Sequence, residues 1–440
     1  MVDFFLGPDL SLRRPEAVTA LLPHYLTYYA LGVLAILPNT FYFRLLLQPV
    51  FLWQTWWCVA NVDFAAWLAQ SLGLQNSDTL KFWNGAFAVG MFIMTLQSFE
   101  WAFLIKEPLR KYEITTDQNP PTFSKNLKPL SISSVLLDGF DLFFNLRGIG
   151  WSWSSQPSPR STTPPSSIPS LFALFLLRIA MADASQYIIQ RVSPAVISGP
   201  SGGSIFDPNL SLLPRIAAAA LCGICGGVWT YSLIDGFYYL AALFGRVVCR
   251  QPASHWPPVS NRPWVSTSLH EFWSTRWHQL FRHLFVTFGA RPGAALLGRP
   301  GALICGFAVS GVMHNYAAWG TGYGSDFFSV GGFFILMGAG VAMEVAFKKS
   351  TGVRVGGFFG WLWTMLWVLV CGTFMIDSWG RHGMLATTFL PARLRLGKPP
   401  VDAVIGLLNV AVDRWDVGVG LGKLNESVLR ILDMSSISPL

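Results

Sequence analysis

The chain has 440 residues, of which 52% are hydrophobic and only 12% are charged. Soluble domains carry about 25% charged residues, so this composition excludes an ordinary soluble protein. Apolar runs of about 20 residues recur along the chain, and a helix of that length crosses the hydrocarbon core of a bilayer. The sequence predicts an all-α fold: a polytopic transmembrane helical bundle of about eight or nine spans, embedded in a lipid bilayer.

The net charge is +8, but this excess does not indicate a nucleic-acid partner, because the aromatic residues are not interleaved with a basic patch. In membrane proteins Lys and Arg collect in cytoplasmic loops, which predicts that the loops 106–165, 246–299 and 348–354 share the cytoplasmic side. Cys222 and Cys225 have CxxC spacing on an apolar helix without a second pair. We therefore predict no metal site there and expect both cysteines to pack between helices.

Residues 1–20 form an N-terminal segment without the basic start and short apolar core of a cleaved signal peptide, so the first span is expected to direct insertion. The membrane domain is predicted over residues 21–390. Residues 391–440 form a tail whose short apolar stretch, Val404–Val412, is expected at the membrane interface.

The first spans are expected at Leu21–Leu37, at Phe41–Ala60 with Pro49 inside it, and at Phe82–Ile105. Glu100 lies in the last turns of the third span, where its carboxylate reaches the interface or holds a partner. The interface is the simpler of these two expectations.

Residues 106–170 are predicted to form a cytoplasmic loop that ends in a flexible Ser/Pro-rich linker at 152–168. Within this loop, Asp138–Trp151 is too aromatic for a disordered segment and is predicted to dock on the bundle. Later spans are expected at Leu171–Ile189, Gly301–Trp319, Asp326–Phe347 and Gly357–Ile376. Leu212–Val248 is long enough for one tilted helix or two packed spans, and both alternatives stay open.

The basic loop at 246–300 carries an aromatic, histidine-rich stretch over residues 268–283. Ser268 followed by Glu271 is typical of a capping box and predicts that a helix begins here. The helical period then predicts an apolar stripe of Trp273, Trp277, Leu280, Phe281 and Leu284. The same period predicts a polar face made of Glu271, Thr275, His278 and Arg282.

His314 lies within an apolar span, where an ionisable side chain is costly and tends to face a polar cavity. Imidazole titrates near neutral pH, which suits proton transfer, although a histidine that only bridges two helices is an equal alternative. His278 lies 36 positions earlier and, taken alone, is an ordinary interfacial histidine. His270 and His283 are expected at the interface, and the spacing of the three early histidines predicts no zinc site.

Two motifs resemble those of a known family. Phe272-Trp273-Ser274-Thr275-Arg276-Trp277-His278, followed by Ser310-Gly311-Val312-Met313-His314, resembles the wax synthase-like branch of the membrane-bound O-acyltransferases. Asn145–Trp151 is similar to a segment of fungal members of that branch. The order of spans and motifs agrees over residues 20–385. The sequence departs from the commoner ending of the second motif, because Asn315 follows His314 where a carboxylate is expected.

The resemblance implies transfer of an acyl group from acyl-CoA to a hydroxyl inside a tunnel through the bundle, with no bound cofactor and acetyl-CoA as co-substrate. It implies that His314 is the catalytic general base and that His278 assists it. The residues expected to bind substrate or CoA are Trp273, Arg276, Trp277, Arg282, Ser310 and Asn315. Arg262 is a further basic group that could hold CoA phosphates.

Fungal relatives of this kind imply a hydrophobic terpenoid or meroterpenoid alcohol as acceptor and an endoplasmic reticulum membrane as location. Two alternatives stay open. The first is a long-chain acyl-CoA:alcohol acyltransferase that makes wax or sterol esters. The second is a membrane carrier for an apolar metabolite, which leaves the cytoplasmic aromatic motif without a role.

Overall fold

The computed structural model describes residues 12–104, 109, 112–115, 122–127, 131–151, 153, 167–199 and 202–407. Most of the expected Ser/Pro-rich linker, the start of the N-terminal segment and the tail beyond residue 407 lie outside the described residues. The helices and strands in chain order are α1 Leu21–Ile36, α2 Phe41–Asn61, α3 Phe64–Ser71, α4 Phe82–Ala102, β1 Tyr112–Thr115, β2 Thr122–Leu127, α5 Ile132–Phe144, α6 Ile168–Val192, α7 Leu212–Val247, α8 Leu269–Glu271, α9 Arg282–Phe285, α10 Arg291–Gly320, α11 Phe327–Thr351 and α12 Gly357–Arg381.

The helical class predicted from composition is confirmed. The short strands β1 and β2 pair antiparallel in the loop after α4. Among the described residues, seven helical segments are long and apolar enough to cross a membrane: Pro15–Ile36, Asp78–Ala102, Ile168–Val192, Leu212–Val247, Arg282–Gly320, Phe327–Thr351 and Gly357–Arg381. The chain is a multi-pass membrane protein.

Helix α2 is as long as a span but is not among the seven, and it buries Arg44 and Gln48. The Arg44 guanidinium donates to the carbonyls of Trp101 and Leu104, at 2.8 and 2.7 Å, where α4 ends. With α2 counted, the described chain holds eight long helices, which meets the lower of the two expected numbers. The question left open at 212–248 is also answered, since α7 is one continuous helix of 36 residues.

The two largest apolar cores of the described chain each join several helices. One core joins α6, α7, α11 and α12, and the other joins α1, α2, α4 and α5. Large side chains also point outward: Phe328 and Phe359 are 86% and 81% exposed. Such exposed aromatic residues on apolar helices are what a surrounding bilayer covers. The N-terminal segment is tied to the bundle where it is described, because Arg13 donates to the carbonyl of Gly320 at 2.7 Å.

Helix α10 reverses direction at Gly298, where φ is 65° and ψ is −152°. Only glycine adopts this backbone region without strain. The two arms on either side then pack against each other so closely that a Cβ on Gly293 would lie 2.2 Å from the carbonyl oxygen of Gly301. Residues 282–297, which the sequence assigned to a cytoplasmic loop, therefore form a helical arm against the span that carries His314. The loop prediction was wrong for this part.

Replacing Gly293 by valine should force these arms apart. We expect a loss of about 3 kcal/mol of stability, seen as a melting temperature about 5 °C lower in detergent, because the backbone of Gly301 cannot yield as a flexible side chain can. Gly332→Val is the matched control, since a Cβ at Gly332 meets nothing within 4 Å. Equal melting temperatures for the two variants would contradict the close packing of the arms.

Candidate functional site

The motif segment begins as its sequence predicts. The Ser268 hydroxyl oxygen accepts the backbone N–H of Glu271 at 3.0 Å and so caps α8. A second cap comes from α11, where the buried Glu344 carboxylate accepts the backbone N–H groups of Leu269 and His270, at 2.6 and 3.0 Å. These two acceptors satisfy three of the free N–H groups at the start of the helix. The motif is thus anchored to a membrane helix by a carboxylate.

The predicted long amphipathic helix is wrong beyond Arg276. After α8 the chain makes a single π-helical turn over Phe272–Arg276, closed by the N–H of Trp277 to the carbonyl of Phe272 at 2.7 Å. Trp277 itself is extended, with ψ at 153°. The neighbouring loop competes with the helix for backbone groups, because Asn261 N–H donates to the carbonyl of Arg276 at 2.8 Å.

This break has a consequence for the predicted faces. Glu271, Thr275, His278 and Arg282 do not share one helical face, and the apolar stripe ends with the π turn. Glu271 instead forms an ion pair with Arg276, with Oε1 2.6 Å from Nε. Arg276 is thereby committed to holding the turn, which makes it a poor candidate for binding CoA.

His314 lies on α10, one turn after Ser310. Its Nδ1 is 2.8 Å from the carbonyl oxygen of Ser310. A carbonyl oxygen can only accept, so Nδ1 carries the hydrogen and Nε2 keeps its lone pair in the neutral ring. The imidazole packs against Phe334 with ring centroids 4.5 Å apart. This arrangement fixes both the tautomer and the orientation that a general base needs.

His278 follows the π turn and lies deep in the protein, with part of its surface open to internal space. Its Nδ1 is buried without a hydrogen-bond partner. Burial, with a smaller contribution from His314, lowers the pKa of His278 to about 3. The ring is therefore neutral at pH 7 and can donate or accept one hydrogen bond according to its tautomer.

Two cavities meet at these histidines. Cavity 1, of about 610 Å³, lies between α7, α10, α11 and α12. Cavity 2, of about 1240 Å³, lies between α4, α5, α7 and the loop at residues 249–256. Among the described residues, four line both cavities: Thr230, His278, His314 and Trp379. We call these four residues the junction.

Most of the predicted site residues come together on cavity 1. It is lined by Trp273, Trp277, His278, Arg282, Ser310 and His314. Arg276, Asn315 and Arg262 line neither cavity. Asn315 is buried on α10 with its Oδ1 unpartnered, beside His314 in sequence but outside both cavity walls. The side chain of Arg282 makes no hydrogen bond or ion pair with any described residue, so its guanidinium is available to an anion.

Sequence reasoning missed several residues of the site. Glu344 is a carboxylate inside an apolar span, and that signal could have identified it. Thr230, Trp229 and Trp379 carry no such signal, because a threonine or tryptophan within an apolar helix is ordinary. The Thr230 hydroxyl donates a hydrogen bond to the carbonyl of Gly226 at 2.9 Å.

The expectations for Glu100 and His283 also need correction. His283 is buried, 3% exposed, and its Nε2 lies 2.6 Å from Oε1 of Glu100. The carboxylate near the end of α4 therefore holds a histidine partner, and His283 does not lie at an interface. This contact joins α4 to α9 beside the ring of Trp153, whose centroid is 4.6 Å from that of His283. It fixes the chain just after the motif.

Residues 256–336 match the model of the membrane bound O-acyl transferase family. This segment contains the motif, both arms of α10 and the junction histidines. The match confirms the resemblance that the two motifs indicated.

Three curated relatives illustrate the range of similar proteins. An O-mevalon transferase of Aspergillus niger is 27% identical over 221 residues, which are 45% of this chain and 49% of that protein. An acetyltransferase of an Arthrinium species is 24% identical over 426 residues, 86% of this chain and 94% of that protein. A long-chain-alcohol O-fatty-acyltransferase of Simmondsia chinensis is 29% identical over 138 residues, 29% of this chain and 39% of that protein. The chain thus spans about half the length of the first of these relatives.

Proposed function

We propose that this chain, on the family match across residues 256–336, is a membrane-bound O-acyltransferase that moves an acetyl group from acetyl-CoA to a hydroxyl of a hydrophobic alcohol. The observation that carries the proposal is the junction, where two cavities share His278 and His314. One cavity offers room for a thioester and the other for an acceptor. A base between them can act on both.

The chemistry follows from the tautomer of His314. An alcohol is a weak nucleophile at neutral pH, so a base within hydrogen-bond reach accelerates its attack on a thioester. The hydroxyl oxygen forms a bond to the carbonyl carbon while its proton passes to Nε2 of His314. The C–S bond then breaks, and the CoA thiolate takes that proton back from Nε2. Atoms balance as an ester and free CoA, with His314 restored.

Cavity 1 is the side we assign to the acyl-CoA. Arg282 lines it with no described partner, and a free guanidinium suits phosphate oxygens. The other arginine on this cavity, Arg178, is already engaged, because it lies 3.5 Å from the Asp235 carboxylate and donates to the hydroxyl of Tyr231 at 2.9 Å. Arg282 is therefore the stronger candidate for the anionic part of CoA.

Cavity 2 is the side we assign to the alcohol. Its volume of about 1240 Å³ exceeds the usual range of about 300–1,000 Å³ for small-molecule pockets, and its walls are largely aromatic and aliphatic. Such a space fits a bulky polycyclic alcohol of terpenoid or meroterpenoid type. A substrate of this class partitions into the bilayer, in agreement with an endoplasmic reticulum location, which we include in the proposal.

Acetyl is preferred over a long acyl chain because a relative that aligns with 86% of this chain is named an acetyltransferase. A long-chain acyl group is the alternative, since other relatives are named for fatty acyl transfer to long-chain alcohols. The two differ in the length of apolar chain that must fit beside the junction.

Purified protein in nanodiscs, given radiolabelled acetyl-CoA or palmitoyl-CoA with either a sesquiterpene alcohol or hexadecanol, would test the proposal. We expect labelled terpenoid acetate and release of free CoA thiol, with protein-free nanodiscs as control. Labelled ester from palmitoyl-CoA alone would favour the long-chain alternative. Failure to form any ester, together with movement of the alcohol across liposome membranes, would replace the proposal with a carrier.

A further inference from the structure

The junction residues differ in whether their hydrogen-bond donors are already used. When the alcohol attacks the thioester, negative charge grows on the carbonyl oxygen, and donors placed in advance stabilise it. The Thr230 hydroxyl already donates its hydrogen bond to the carbonyl of Gly226. The Nδ1–H of His314 already donates to the carbonyl of Ser310, and its Nε2 is the proposed base. Neither residue can therefore serve the developing oxyanion.

Besides His278, whose unpartnered Nδ1 donates in only one tautomer, Trp379 is the junction residue whose hydrogen-bond donor no described residue accepts. It lies near the end of α12, is 5% exposed, and its Nε1–H is buried without any hydrogen-bond partner. A buried indole N–H left unpaired is unfavourable, and such groups in native structures call for an explanation. Trp229 packs edge-on against it, with ring centroids 5.8 Å apart, which holds the indole in place.

Three other described tryptophans share the unpaired N–H but not the location, and one of them, Trp153, lines neither cavity. Trp229 lines cavity 2 and Trp273 lines cavity 1, and neither lines both. The reacting carbonyl must lie where the thioester and the hydroxyl meet, which is at the junction. Trp379 is therefore the indole placed to reach it.

We propose that Trp379 is a catalytic residue that donates its indole N–H to the thioester carbonyl oxygen as that oxygen becomes negative. This inference rests on the proposed acyl transfer. As the acceptor oxygen bonds to the carbonyl carbon, the electron pair of the C=O bond moves to its oxygen, which Nε1–H stabilises. The pair returns when the C–S bond breaks and CoA leaves, and Trp379 neither gains nor loses a proton.

The test removes the N–H and keeps the ring. In Trp379→Phe, and in a protein carrying benzothienylalanine at position 379, where sulfur replaces the N–H of the indole, kcat should fall about 10²-fold. The KM values for acyl-CoA and alcohol should stay within about threefold of wild type. Benzothienylalanine preserves the size of the ring, so it keeps the test valid if the phenylalanine variant folds poorly.

Two comparisons complete the test. Trp56→Phe, on the exposed face of α2 where Trp56 is 65% exposed, should retain wild-type kcat and controls for tryptophan loss in general. A kcat of the benzothienylalanine protein within about threefold of wild type, or a change confined to KM, would overturn the role of Trp379. If the wild-type protein itself forms no ester, the proposed function fails instead, so the two failures are distinguishable.

Discussion

Replacing His314 by alanine is expected to lower kcat for ester formation by about 10²–10⁴-fold, the usual contribution of a general base. The hydrogen bond on Nδ1 leaves the Nε2 lone pair of this ring free to accept a proton, and the ring lines both cavities. The KM for acyl-CoA should change little, because the ring contributes to proton transfer more than to binding. Steady-state rates with labelled acyl-CoA, normalised to protein in the membrane, measure the effect.

The chain offers a matched control for this variant. His382, at the end of α12, makes the same bond as His314, with its Nδ1 2.8 Å from the carbonyl oxygen of Ser378 one turn earlier. It lines neither cavity. His382→Ala should therefore keep kcat within about twofold. A His314→Ala protein that matched the His382→Ala protein in rate would remove the basis for acyl transfer at the junction.

The second large effect is expected at Glu344. Its carboxylate accepts three hydrogen bonds, from the backbone of Leu269 and His270 and from the indole of Trp363 at 3.1 Å. Glu344→Gln keeps the size but turns an N–H₂ group toward one of these donors. We expect about 2–3 kcal/mol of lost stability and a fall in kcat of about 10²-fold, because the segment leading to His278 loses its anchor.

Thermal unfolding in detergent and kcat, measured on the same preparation, would test this expectation. Glu16→Gln is the control, since Glu16 is exposed on the short 3₁₀ helix before α1. Both Glu344→Gln quantities should fall while those of the control stay at wild type. A variant with normal melting and normal turnover would mean that the motif segment holds its position without the carboxylate.

Much of the fold follows from the composition of the chain and from the period at which its apolar residues recur. Runs of apolar residues mark helices because a bilayer leaves the backbone few other ways to satisfy its hydrogen bonds. The break after Arg276 could not be predicted in this way. The residues 269–284 have a helical period, yet the ion pair of Arg276 with Glu271 and the bond from Asn261 decide the local backbone. The bond from Asn261 depends on a loop whose position the hydrophobic period of the motif does not encode.

The candidate site, like the fold, was predicted from the sequence only in part. His314 was predicted because a histidine within an apolar span is unusual, and His278 because it ends the motif that resembles the family's; both line the wall that the two cavities share. Their catalytic role stays a prediction. Trp379 was missed because tryptophan is ordinary in membrane helices, and its significance arises only when its N–H is seen to lack a partner. Glu344 was missed although a carboxylate within an apolar span indicates a paired or functional group.

The shared wall of the two cavities has a kinetic consequence. If each chamber admits one reactant and both open on the same imidazoles, a ternary complex must assemble before any bond changes. Double-reciprocal plots at several fixed alcohol concentrations would then intersect rather than run parallel. Free CoA would also leave through cavity 1 and the ester through cavity 2. Free CoA should therefore compete only with acyl-CoA, and the ester only with the alcohol.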